Sequence, residues 1–192
     1  DAPLVRNETL QELINKHKEK NASCTILTAQ VDNSLGFGRI LRDQYSKVSR
    51  IIEENDASFS QKQIKEVNSG IYCFKTPELL EALNQIQINT KKGEYYFTDI
   101  IQILYEKNKI IDTEDCFDKD EILGINSRQD LSIANDIMRL RIIKELTENG
   151  VTIISPETTF VNHGSSMGKD TVIYPFTFIE STRYTDNPRN SQ

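Results

Sequence analysis

The loop Gly36-Phe37-Gly38 is the stretch of this sequence that could admit a ligand close to backbone, because glycine has no Cβ to hold it off. It lacks the remaining glycines of a dinucleotide fingerprint, and the phosphate-loop pattern ending in Lys-Ser/Thr is absent. Read alone, it is a turn. His17 and His163 are the only histidines, and neither has a partner that would make a nucleophilic triad. Cys24, Cys73 and Cys116 are odd in number, far apart and without Cys-x-x-Cys spacing, which argues against a disulfide framework or a zinc knuckle. Such thiols fit a reducing, cytoplasmic setting, with Cys24 and Cys73 as small buried hydrophobes.

The elements that must position any site follow from pattern. Thr9 to Lys20 reads as an amphipathic helix with Leu10, Leu13, Ile14 and His17 on one side, and His17-Lys18-Glu19-Lys20 as a solvated face. Cys24–Val31 reads as a mostly buried strand. Arg39–Arg42 and Val48–Glu53 read as a hairpin turning at Asp43–Ser46, beside the glycine loop. Ser58–Lys65 is polar, and Val67–Phe74 is another buried strand. A helix starting at Pro77 is expected to take Thr76 as N-cap and to bury Leu79, Leu80, Leu83 and Ile86. After Gly93, the residues Ile100, Ile101, Ile103 and Leu104 suit a helix ending near Lys107, with a strand from Ile110. Ser127 and Asp130 form an N-cap pair before a long helix that ends at Gly150. Strands alternating with helices predict an α/β domain with a mixed sheet.

A different period follows. Thr159, Ser165, Thr171 and Thr177 recur every six residues, each four places after Ser155, Val161, Met167 and Ile173. Six fits neither helix nor strand, and predicts short parallel strands, three per turn, as in a left-handed β-helix. Little more than one turn is present, and one turn cannot bury its own faces.

Composition bounds the partners. Of 192 residues, 23 are Lys or Arg and 29 Asp or Glu, a net charge of −6 that offers no basic face to nucleic acid. No apolar stretch approaches 18 residues and no signal-peptide pattern opens the chain, so no membrane is expected.

Five segments occur in order: Gly36-Phe37-Gly38-Arg39-Ile40, Ile51-Ile52-Glu53-Glu54, Glu66-Val67-Asn68-Ser69-Gly70-Ile71-Tyr72, Gly93-Glu94-Tyr95-Tyr96-Phe97-Thr98-Asp99 and Leu123-Gly124-Ile125-Asn126. As a set they closely resemble the bacterial N-acetylglucosamine-1-phosphate uridylyltransferases that also carry a glucosamine-1-phosphate acetyltransferase domain. The resemblance covers nearly the whole chain. It implies the C-terminal part of a Rossmann-like nucleotidyltransferase domain over 1–126, a strut helix over 127–150, the start of a left-handed β-helix over 151–184 and a flexible tail over 185–192. It assigns sugar contacts to Gly38, Glu53, Asn68, Tyr96 and Thr98, whose types suit hydroxyl and N-acetyl groups. Asp1 of Asp1-Ala2-Pro3-Leu4 and Asn126 match the positions that hold the catalytic Mg²⁺, a cation that takes hard oxygen ligands.

The implied reaction joins UTP and N-acetylglucosamine-1-phosphate into UDP-N-acetylglucosamine and pyrophosphate, with a homotrimer through the β-helix in the full-length parent. The family's Gly-x-Gly-Thr-Arg-Met loop and downstream lysine occur nowhere in these residues. The chain is therefore expected to be an internal segment, inactive alone and exposing a sheet edge. Two alternatives stay open: transfer to another hexose-1-phosphate, or a non-catalytic sugar-phosphate-binding or assembly module. An acyltransferase reading would need more coils, and His163 reads better as a turn residue.

Overall fold

The computed structural model describes residues 2–89 and 93–180. In chain order the elements are α1 (Asn7–Glu19), β1 (Cys24–Gln30), β2 (Gly38–Arg42), β3 (Val48–Ile52), β4 (Glu66–Phe74), α2 (Thr76–Leu83), β5 (Ile88–Asn89), β6 (Glu94–Tyr95), α3 (Asp99–Glu106), β7 (Ile111–Asp115), α4 (Arg128–Glu148), β8 (Thr152–Ile153), β9 (Phe160–Val161), β10 (Val172–Ile173) and β11 (Phe178–Ile179). They fall into two units, one of Ala2–Leu123 and one from Gly124 onward. Expectations for Asp1 and for the tail over 185–192 lie outside the described residues.

The first unit is an α/β mixed sheet in the order β3-β2-β4-β1-β7. β1 runs antiparallel to β4 and parallel to β7. Because side chains alternate across a strand, β1 feeds two cores. Cys24 and Ile26 join Ile40, Ile51, Ile100, Ile101 and Leu104 on one face. Leu27 and Ala29 join Leu13, Val67, Cys116 and Ile122 on the other. All three cysteines are free, and Cys116 is buried like Cys24.

Three details of the helices differ from pattern. The N-cap position of α2 is Lys75, not Thr76, and no side chain caps it; Pro77 in the first turn fixes the helical start instead. Its buried residue is Ala82, while Leu80 and Leu83 stay exposed at 56% and 40%. Leu79 and Ile86 do pack on the core. In α1, Ile14 is likewise exposed, and the buried positions are Leu13 and His17.

His17 makes α1 sensitive to acid. Its Nδ1 lies 3.0 Å from the hydroxyl of Thr25 on β1, in a buried contact. Burial first, then the positive charge of Lys75, lowers its pKa from 6.5, with Glu78 opposing. The unfolded chain then binds more protons than the folded one in the window just below 6.5, so stability falls as pH falls through it. Proton titration of the imidazole by NMR is expected to give a midpoint below 6.5; a midpoint above it would contradict this packing.

In the second unit, α4 starts in a capping box: the Ser127 hydroxyl accepts from the Asp130 amide at 3.1 Å while the Asp130 carboxylate accepts from the Ser127 amide at 2.8 Å. It ends before Gly150, whose φ is +91°. β8 pairs in parallel with β10, and β9 with β11. Val151, Val161 and Ile173 pack with Leu146 of α4, flanked by Met167 and Ile179. Thr159 is fully buried, and its hydroxyl donates to the Ser155 carbonyl at 2.8 Å. Among the described residues no helix is long and apolar enough to cross a membrane.

Candidate functional site

Three strands meet at the first site residue. Gly38 opens β2 directly opposite Asn68 of β4, and Arg39 beside it pairs with Ile52 of β3. Residues 15 and 30 positions from Gly38 thereby become its neighbours. A Cβ on Gly38 would lie 2.9 Å from Ile51 Cγ2, 3.6 Å from Asn68 Cβ and 3.7 Å from Glu53 Oε2. Glycine is required here by close approach. Gly38→Ala is expected to cost about 1–3 kcal/mol of stability, as overpacking does, read from denaturant unfolding of the first unit; an unchanged midpoint would show that Ile51 yields freely.

Asn68 is held by an irregularity in β4. Ile26 of β1 pairs with Tyr72 while Thr28 pairs with Asn68, leaving residues 69–71 against Leu27. Gly70, at φ +82°, allows the bend, and the Ser69 hydroxyl donates to the Leu27 carbonyl at 2.7 Å. Asn68 Nδ2 then donates to the Tyr72 hydroxyl at 2.7 Å, and Asn68 Oδ1 accepts from the Gly70 amide at 3.1 Å. Each of these amide atoms retains one further bond. Tyr72 packs at a tilt against Phe74 and Phe97, ring centroids 5.6 and 5.5 Å away, and burial raises the pKa of its hydroxyl.

Glu53 immediately follows β3, and Thr98 immediately precedes α3. The buried Thr98 hydroxyl donates to Glu53 Oε1 at 2.7 Å. This fixes the carboxylate beside Gly38. Glu53, Tyr96 and Thr98 line an open groove of about 670 Å³ together with Arg50, Asp56 and Asp99. The Asp99 pKa is raised, chiefly by burial and then by the neighbouring charges of Glu53 and Asp56. A groove of this sign repels anions and accepts hydrogen bonds, which suits the hydroxyls of a neutral ring rather than a phosphate.

The structure thus brings Gly38, Glu53, Asn68 and Thr98 together, with Tyr96 on the groove that Glu53 and Thr98 line. Asn126 belongs to the second unit. Its backbone amide donates to Asp130 Oδ2 at 3.0 Å, and its exposed side chain carries a hard oxygen of the type Mg²⁺ takes. Asp1 lies outside the described residues. Among the described residues no group of three or more His, Cys, Asp or Glu is placed to hold a metal.

Two participants escaped the sequence reading. In sequence Asp99 only closes a motif, whereas its place at the start of α3 sets it on the groove. Arg39 is 1% exposed, and its Nη2 donates to Glu54 Oε2 at 2.5 Å. Strand alternation after Gly38 was the available signal, since it turns residue 39 to the other face of the sheet.

Residues 3–118 match the family model described as nucleotidyl transferase. The chain is 46% identical over 180 residues to the bifunctional protein GlmU of Acetivibrio thermocellus, covering 94% of this chain and 39% of that protein. It is 46% identical over 180 residues to the protein of the same name from a Geobacillus species, and 45% identical over 173 residues to that of Enterococcus faecalis. The latter alignments cover 94% and 90% of this chain, and 39% and 38% of those proteins. The chain therefore spans about two fifths of the length of the curated relatives it matches.

Proposed function

Because this chain belongs to the nucleotidyl transferase family, we propose that it carries the sugar-recognising part of a sugar-1-phosphate nucleotidyltransferase. The substrates are N-acetylglucosamine-1-phosphate and UTP, and the products UDP-N-acetylglucosamine and pyrophosphate. An oxygen of the sugar phosphate attacks the α-phosphorus of UTP, forming one P–O bond as the bond to the pyrophosphate oxygen breaks. Little covalent work falls to the protein in such transfers, which depend on positioning and charge neutralisation.

The observation that carries this reading is the Glu53 carboxylate, oriented by Thr98 and set against Gly38 and Asn68. Glu53 accepts from ring hydroxyls, the remaining bonding capacity of Asn68 suits an N-acetyl group, and Gly38 leaves room for the ring. Asn126 and Asp1 would hold Mg²⁺, which supplies charge neutralisation at the phosphates. The similarity to bifunctional GlmU proteins supports the same reading.

The second unit fits the same proposal. β10 lies beside β8 and β11 beside β9, about three six-residue steps apart, which supports a first coil of left-handed β-helix with α4 as the strut before it. A homotrimer through completed coils, in a cytoplasmic setting, belongs to the proposal for the longer protein.

Competition separates this sugar from its relatives. N-acetylglucosamine-1-phosphate is expected to displace UDP-N-acetylglucosamine from the chain at lower concentration than glucose-1-phosphate does. The reverse order would favour another hexose-1-phosphate. Pyrophosphate release with UTP and Mg²⁺, after fusion behind the N-terminal segment of the Acetivibrio relative, separates a transferase from a binding module; a folded fusion that binds sugar nucleotide without release would overturn the catalytic reading.

A further inference from the structure

We propose that Arg39 is a positioning residue for the sugar groove, acting on Gly38 and Glu53 from the opposite face of the sheet. The inference rests on the sugar-binding reading above. Arg39 follows Gly38 in β2, and its side chain is 2% exposed. One end of its guanidinium donates through Nη1 to the Phe37 carbonyl, the residue before Gly38. The other donates through Nη2 to Glu54 Oε2 at 2.5 Å, the residue after Glu53. A single planar fork therefore ties the entry of β2 to the exit of β3, and the two residues it brackets are neighbours, a Cβ on Gly38 falling 3.7 Å from Glu53 Oε2.

Glu54 is held a second time, by Lys62 at 3.2 Å to its other oxygen. These two cations, Arg39 first, keep the pKa of its carboxyl below the ordinary value, so it is ionised and bonded wherever the protein is folded near neutrality. Arg39 Nε is buried and makes no hydrogen bond. An ion pair with one partner buried, the other partly buried and a donor left unsatisfied adds little stability over apolar residues of the same size. What this one supplies is fixed geometry. A ligand bonded to Glu53 and resting on Gly38 needs the spacing between β2 and β3 held to a fraction of an ångström, and the fork holds it without entering the groove.

The test separates position from stability. The paired change Arg39→Met with Glu54→Leu removes both charges together and is expected to fold with a thermal midpoint near that of the unmodified chain. Its dissociation constant for UDP-N-acetylglucosamine is expected to rise by about tenfold or more. In the ligand-free protein the amides of Gly38 and Glu53 are expected to exchange with solvent faster. Arg39→Lys, which keeps the charge but cannot fork to both partners, is expected to give a smaller loss in the same direction and guards against misfolding of the pair.

Unchanged affinity and unchanged exchange in a folded variant would overturn the proposal, leaving Arg39 as a structural residue. Absence of sugar-nucleotide binding by the unmodified chain would overturn the functional reading, whereas the exchange rates of Gly38 and Glu53 decide the positioning role on their own.

Discussion

Glu53→Ala is expected to weaken binding of UDP-N-acetylglucosamine by about 10- to 100-fold while leaving the fold intact. A hydrogen bond to a charged acceptor contributes about 1.5–3 kcal/mol, and about 1.4 kcal/mol is a factor of ten in affinity. Glu53 sits at a half-buried strand exit, with one oxygen engaged by Thr98 and the other toward Gly38. Removing it leaves the Thr98 hydroxyl without that acceptor, a modest loss. Against this, Asp99 loses one of the two negative neighbours that raise its pKa, so its ionised form is relieved. The two effects oppose, and the thermal midpoint is expected to stay nearly constant. Titration calorimetry paired with thermal unfolding checks this: lost affinity at constant stability supports a contact residue, while retained affinity removes Glu53 from the site.

Ile100→Ala is expected to destabilise the first unit by about 2–5 kcal/mol, the range for large aliphatic truncations in cores. Ile100 is fully buried in the second residue of α3, packed in the cluster that contains Ile26, Ile51 and Leu104. The side chain cannot be replaced by water without exposing that cluster. Because Thr98 stands two residues before it, loosening α3 also frees the hydroxyl that orients Glu53, and sugar affinity is expected to fall with stability. The two compact units make a single transition unsafe to assume, so unfolding is best followed by a probe in the sheet, such as amide exchange along β1. A loss below about 1 kcal/mol would mean that the site collapses around the smaller residue.

The parts of this fold that were legible in sequence are those fixed by short-range pattern. Apolar runs marked β1 and the β2–β3 hairpin, and Ser127 with Asp130 marked the start of α4, because alternation, turn chemistry and capping act over a few residues. The α2 cap was misplaced because Pro77 sets the helix by fixing its own backbone angle, so Thr76 has no need to act as acceptor. Leu80 and Leu83 were assigned to the core because helical spacing names a face without saying how wide the neighbouring surface is. The pair β5–β6 spans two residues per strand, too short for any period.

The candidate site was legible only through resemblance. Glu53 and Thr98 are 45 positions apart, and no local pattern joins them; what joins them is the order of strands in the sheet. Arg39 shows the converse. It lies next to a named glycine, yet its role depends on burial and on Glu54, neither visible without the pairing of β2 with β3.

Backbone NMR of the isotope-labelled 192-residue chain, titrated with UDP-N-acetylglucosamine, tests the central claim most directly. The account predicts saturable shifts concentrated at Gly38, Glu53, Asn68, Tyr96 and Thr98, with β7 and α1 unmoved. Saturable binding whose shifts fall elsewhere, or no shifts at all in a folded chain, would contradict it.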